Sequence, residues 1–239
     1  MSSVTAILGM HRSGTSWLAM TLQQRGLELG EVSLSNRANR KGNRESAVLT
    51  PLHESVLRQN GGSWSEPRWP NRWTAEAENA LRRFITDMDQ RYEHWGFKDP
   101  RALLVLDEWQ RQIPGRLQRV GVYRHPLAVH RSLDARRREL GKTGPGFSEE
   151  RSFAIWRIYN DRLVEEHKRA AFPLLRFDSD TRERERAVDI AAAALGLRAR
   201  EADDAFDAEL VHNNDVAHSA VPASCRDIWD ELESRRQHV

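Results

Sequence analysis

Ile7-Leu8-Gly9-Met10-His11-Arg12-Ser13-Gly14-Thr15-Ser16-Trp17 stands almost at the start of a 239-residue sequence, and its reading decides the fold. The apolar run Val4 to Leu8 before it reads as a buried strand. Trp17 to Leu22 after it reads as the opening of a helix. Strand, glycine-bounded turn and helix together make an anion cradle. The first helical N–H groups have no intrahelical partner, and the helix dipole favours negative charge there. Gly9 and Gly14 let the backbone wrap closely around oxyanions.

The glycine spacing is that of the nucleotide-binding loop G-x-x-x-x-G-K-[ST], but Thr15 stands where the lysine belongs and the cation is Arg12, inside the loop. Without that lysine nothing reaches the β- and γ-phosphates of a triphosphate. Arg12-Ser13-Gly14-Thr15-Ser16-Trp17 resembles the 5′-phosphosulfate loop of the sulfotransferases, which is Lys/Arg-Ser-Gly-Thr-Thr/Ser and then an aromatic or apolar residue. Those enzymes move a sulfuryl group from 3′-phosphoadenosine 5′-phosphosulfate (PAPS) to an acceptor hydroxyl or amine. The resemblance implies that Arg12, Ser13, Gly14, Thr15 and Ser16 hold the 5′-phosphosulfate and that Trp17 stacks on adenine.

Two further marks of that family follow in order. Phe97-Lys98-Asp99-Pro100-Arg101 is similar to the Lys-Asp-Pro element of tyrosylprotein-like and bacterial-type sulfotransferases, in which the lysine sits at the transferring group. Read by itself it is a strand-end turn with a solvated lysine. Leu117 to Tyr123 reads as a strand ending in Arg124-His125-Pro126, with Pro126 opening a helix that carries Ser132. An arginine at a strand end and a serine eight residues on is the family's 3′-phosphate pair, which implies that role for Arg124 and Ser132. Asn39 to Glu45 resembles the bacterial-type stretch Asn-x-Lys-Gly-x-x-Glu and makes Glu45 the first candidate for the general base. His53 is the second. Lys98 and Arg12 are the expected cationic stabilisers, and no metal is implied because no cluster has ligand spacing.

Along the rest of the chain, helices are expected from Thr15 to Arg25, Pro51 to Gln59, Thr74 to Tyr92, Leu103 to Ile113, Ser148 onward, Arg182 to Leu195 and 226 to 236, with a strand from Phe172 to Phe177. Trp64, Trp69 and Trp73 crowd one turn-rich loop, where they either staple it to the core or line an acceptor pocket. Arg37, Arg40, Lys41 and Arg44 form either a solvated loop or a flap over an anion. Gly141 to Gly146 is a candidate lid. His212, Asn213, Asn214 and His218 lie in a stretch without clean periodicity.

Strands alternating with helices predict an α/β, P-loop-type three-layer fold, a central parallel sheet flanked by helices, over a single domain spanning 1–239. Thirty-seven basic against 35 acidic residues, a net charge of +2, gives no argument for nucleic acid. One cysteine, Cys225, excludes an intrachain disulfide. No stretch has the length of a membrane span, and no signal peptide is visible, so a cytoplasmic protein is expected. The acceptor is expected to be a small molecule, carbohydrate or lipid headgroup. The competing readings are a P-loop nucleoside or small-molecule kinase and a non-catalytic nucleotide-binding scaffold.

Overall fold

The computed structural model describes residues 2–33, 42–139, 141, 146–199 and 219–236. Four strands form one parallel sheet in the order β2-β1-β3-β4, with β1 Ser3–Leu8, β2 His94–Lys98, β3 Leu117–Tyr123 and β4 Leu174–Arg176. β1 is central, with Ile7 opposite Lys98 on one side and Leu8 opposite Gly121 on the other. The chain leaves β1 towards β2 and later returns to β3 on the opposite flank. That reversal opens a crevice at the carboxyl ends of the strands, where ligands bind in such sheets.

The alternation of side chains along β1 sorts the two helical layers. Ile7 faces α1 (Thr15–Gln24) and α7 (Thr181–Ala194), packing with Leu18, Leu22, Val188 and Ala191. Val4, Ala6 and Leu8 face the larger layer, in which α2 (Leu49–Gln59), α3 (Ala75–Arg91), α4 (Leu106–Gln112), α5 (Pro126–Glu139), α6 (Glu149–Arg169) and α8 (Arg226–Arg235) contribute Val56, Leu81, Trp109, Val129, Trp156 and Trp229. Caps set the helix starts: the side chains of Thr74, Ser148 and Asp180 accept from the backbone N–H groups of Ala77, Arg151 and Glu183.

The helix expected over Leu103 to Ile113 is two pieces, a 3₁₀ turn Pro100–Leu104 and then α4. Asp99 caps the turn by accepting from Arg101 N–H, and Val105 at φ −129° breaks the helical path. The strand expected over Phe172 to Phe177 keeps only Leu174–Arg176 in the ladder. Arg37, Arg40 and Lys41, most of the 141–146 loop, and the 212–218 stretch with its two histidines lie outside the described residues. Within the described residues no helix is long and apolar enough to cross a membrane.

Candidate active site

The loop between β1 and α1 is built from unusual backbone. Gly9 has φ +150°, Arg12 +68° and Gly14 +94°. A Cβ on Gly9 would run into the carbonyl oxygen of Val122, and one on Gly14 into the ring of Phe177. β3 and the Phe177 ring therefore come so close that only glycine fits at either end of the turn. Ser13 is fully buried, and its hydroxyl has no hydrogen-bond partner among the described residues. A buried hydroxyl left so is an unmade hydrogen bond that a ligand can complete.

Successive side chains of this loop point to opposite sides. Arg12 turns towards α5, where its Nε donates to Ser132 Oγ at 2.9 Å. Arg124, at the end of β3, donates to the Arg12 carbonyl at 3.4 Å and lies over the Phe177 ring at 5.1 Å. Its own carbonyl accepts from the Trp156 indole at 2.9 Å, which fixes the strand end. Burial pushes the Arg124 pKa down to about 10, with Arg12 and Arg184 adding to the fall and Asp178 opposing it. Arg12 is also lowered, chiefly by burial. Two desolvated guanidiniums beside helix N-terminal N–H groups make a strong attraction for a phosphate. The arrangement brings together Arg12, Ser13, Gly14, Arg124 and Ser132.

His11 turns the other way. Its ring centroid lies 4.7 Å from that of Trp64 and 6.1 Å from that of Tyr159. Beyond it, at the end of β2, Lys98 Nζ donates to Glu45 Oε1 at 2.7 Å. Lys98 is 4% exposed, and burial lowers its pKa while Glu45 opposes the shift. Arg101 is the hub behind this pair. Its Nε donates to Glu54 at 2.8 Å, and its Nη1 donates to Asp99 at 2.9 Å and lies 4.0 Å from Glu45. Burial would raise the Asp99 pKa, but the hydrogen bond from His53 and the adjacent Arg101 outweigh it and hold the carboxyl well below its ordinary range.

His53 faces away from this space. Its Nε2 accepts from the Trp109 indole at 3.1 Å, so the ring proton is on Nδ1 and is donated to Asp99 at 2.9 Å. Both ring nitrogens are engaged in a fully buried position, which leaves none for an acceptor. The sequence offers His53 as a base; in the structure it positions Asp99. Trp17, which the resemblance offers for stacking on adenine, is a buried ring. It is 4% exposed, in the apolar layer, with its ring edge against Phe177 at 5.6 Å. Ser16 Oγ donates to the Asn43 carbonyl at 3.1 Å and ties the loop to the segment carrying Glu45.

The tryptophan loop divides its labour. Trp69 lies under the Arg162 guanidinium at 3.7 Å, and Trp73 packs edge-on to His53 at 6.1 Å, so both fasten the loop to the core. Trp64 alone meets the cradle, through His11, and Phe147 backs it at 5.9 Å. His11 is the residue that motif reading passes over, because the loop pattern assigns meaning to its glycines, its arginine and its hydroxyls. Its signal was available: a titratable ring inside an anion loop, next to the cation. Within the described residues no three His, Cys, Asp or Glu side chains are grouped to hold a metal ion.

No protein-family model matches the chain, and no curated protein matches it significantly. Among solved structures it is similar to the sulfotransferase domain of the Synechococcus PCC 7002 olefin synthase, with a TM-score of 0.56 and 16% identity, covering 99% of this chain and 95% of that one. It is also similar to the sulfotransferase domain from the curacin biosynthetic pathway, with a TM-score of 0.57 and 13% identity, covering 98% of each chain. The chain thus has the fold of sulfotransferase domains over essentially its whole length.

Proposed function

We propose that this protein is a sulfotransferase that takes its sulfuryl group from PAPS and gives it to an acceptor hydroxyl or amine. The observation that carries the reading is the convergence of Arg12, Arg124 and Ser132 on a glycine-bounded helix N-terminus, with Lys98 buried at the neighbouring strand end. The pattern suits a donor with two separate anionic groups. The loop N–H groups, Ser13, Thr15 and Ser16 would hold the 5′-phosphosulfate, and Arg124 with Ser132 the 3′-phosphate. The orphaned Ser13 hydroxyl and the two glycines that admit no Cβ fit such a group. When bound, PAPS supplies an activated sulfuryl group with 3′-phosphoadenosine 5′-phosphate as the leaving portion.

The chain's own residues then have separable tasks. Lys98 places an ammonium at the end of β2, where it can stabilise charge on a departing oxygen. Glu45 holds that ammonium in position. Glu45 is the first proton acceptor that the sequence offers, and the engagement of both His53 ring nitrogens speaks against the second. Arg12 contributes positive charge from the loop while tied to Ser132. Positioning and electrostatics supply most of the acceleration in this kind of in-line transfer, as in phosphoryl transfer. A kinase reading lacks the loop lysine that would reach a γ-phosphate. The fold and the absence of a long apolar helix among the described residues fit a cytoplasmic enzyme acting on a small molecule, carbohydrate or lipid headgroup.

Calorimetric titration of 3′-phosphoadenosine 5′-phosphate, ADP and 5′-AMP tests the reading. The bisphosphate should bind in the micromolar range and tightest of the three. Arg124→Ala should weaken it about 10–100-fold, the size of a lost charge-assisted contact. ADP bound as tightly, and indifferent to Arg124, would refute the proposal.

A further inference from the structure

His11 has a surrounding that the donor-binding role does not explain. Its Nε2 is buried and makes no hydrogen bond to a described residue. Its ring lies 4.7 Å from that of Trp64 and edge-on to that of Tyr159 on α6, and the charges of Arg101, Asp99, Lys98 and Arg12 are near enough to act on it. These are the groups around the proposed reaction centre. Glu45, the other base within that centre, is differently placed: one carboxylate oxygen holds Lys98 at 2.7 Å and the other is 4.0 Å from Arg101. Putting a proton on Glu45 would dissolve the pair that seats Lys98.

We propose that His11 takes the acceptor's proton, and that Glu45 remains ionised as the counter-ion of Lys98. The inference rests on the sulfotransferase reading. As the acceptor's oxygen or nitrogen forms its bond to sulfur, the bond from sulfur to the bridging oxygen breaks. The acceptor's proton passes to the imidazole, and the leaving oxygen takes the electron pair beside Lys98. Burial, and then the charges of Arg101, Lys98 and Arg12, keep the free imidazole neutral well below the ordinary histidine range, against the pull of Asp99. A neutral ring is the form a base must have. Anionic groups arriving in the loop raise its proton affinity, so donor binding strengthens the base. Trp64 and Tyr159 hold the ring without taking its nitrogens, since the Tyr159 hydroxyl donates to the Trp64 carbonyl at 3.2 Å.

This coupling has a signature that needs no acceptor. Binding of 3′-phosphoadenosine 5′-phosphate near pH 6, followed by calorimetry in two buffers of different ionisation enthalpy, should draw in protons. His11→Gln should abolish most of that uptake while binding the nucleotide within about threefold of wild type. Failure of the nucleotide to bind at all would sink the sulfotransferase reading; binding with uptake that is absent, or unchanged in His11→Gln, would sink the inference alone. A second measurement uses water as the acceptor. His11→Ala should slow PAPS hydrolysis about 10²-fold, the low end for a lost general base, and added imidazole should restore part of the rate. Hydrolysis unchanged by the substitution, or slowed without rescue by imidazole, would overturn the assignment.

Discussion

Replacing Gly14 with alanine probes the close approach of the Phe177 ring to the loop. Gly14 sits at φ +94°, where an L-residue is strained. That strain costs about 1–3 kcal/mol. The new methyl would also lie 2.5 Å from Phe177 Cγ, closer than real Cβ atoms come. Overpacking of that kind costs about 1–3 kcal/mol more. Gly14→Ala should therefore destabilise by about 2–6 kcal/mol in all, read as a shift of the urea midpoint at constant slope. The two terms separate in a double-mutant cycle. Phe177→Ala removes the whole ring, including the Cγ that Phe177→Leu would keep. Alone it should cost about 3–5 kcal/mol as a large-to-small core change. Combined with Gly14→Ala it should cost less than the sum, by the steric part of about 1–3 kcal/mol, because the cavity receives the methyl. Gly9→Ala offers the control. Its methyl meets the backbone oxygen of Val122, which no side-chain truncation can move. A Gly14→Ala protein within 0.5 kcal/mol of wild type, or full additivity with Phe177→Ala, would refute the reasoning.

Lys98→Ala should leave the affinity for 3′-phosphoadenosine 5′-phosphate within a few-fold of wild type and cut PAPS turnover by roughly 10²-fold, the scale for one electrostatic stabiliser; unchanged turnover would remove Lys98 from the chemistry. Trp69→Ala should lower the urea midpoint by removing the ring under Arg162, with nucleotide affinity unaltered in titration, since Arg162 is no part of the cradle. Asp99 gives a pH dependence. Its folded pKa lies below the unfolded value, so its contribution is complete above the ordinary carboxylate range and is lost as pH falls from about 4 towards the depressed folded value. Urea titrations between pH 5 and pH 2.5 should show stability falling with a slope of up to about 1.4 kcal/mol per pH unit from this group, and Asp99→Asn should flatten that slope.

The sheet and the cradle were legible because they depend on local pattern. Glycine spacing after an apolar run announces a close backbone turn, and a proline just past Arg124 announces a helix start. The positions of Lys98 and Arg124 were readable for the same reason, each standing at the end of a strand whose boundary the sequence marks. What escaped depends on contacts between distant segments. The role of His53 is set by Trp109 and Asp99, 56 and 46 positions away. The packing of Trp17 is set by Phe177, which follows β4 far along the chain and meets the Trp17 ring edge-on. The break at Val105 follows from Asp99 capping a short turn, a competition between cap and helix that periodicity cannot see.

The same dependence on distant contacts explains how the centre tolerates so much buried charge. Lys98, Asp99 and Arg101 occupy four consecutive positions with Pro100, and burying them unpaired would be prohibitive. Each finds a partner from another part of the chain: Lys98 finds Glu45, Arg101 finds Glu54, and Asp99 finds His53, all three from 45–54. The segment 45–54, which runs into α2, thus partners the end of β2, and the two must dock together. His11 is the exception in this neighbourhood. It has aromatic neighbours where the others have charge partners, and its buried Nε2 makes no hydrogen bond to a described residue. His53→Gln separates the two arrangements. It should lower stability by about 1–3 kcal/mol through the loss of a buried hydrogen bond to a charged group. It should leave proton uptake on nucleotide binding as in wild type, because that uptake is assigned to His11. Loss of the uptake in His53→Gln, with binding retained, would move the titrating group from the loop to the Asp99 cluster.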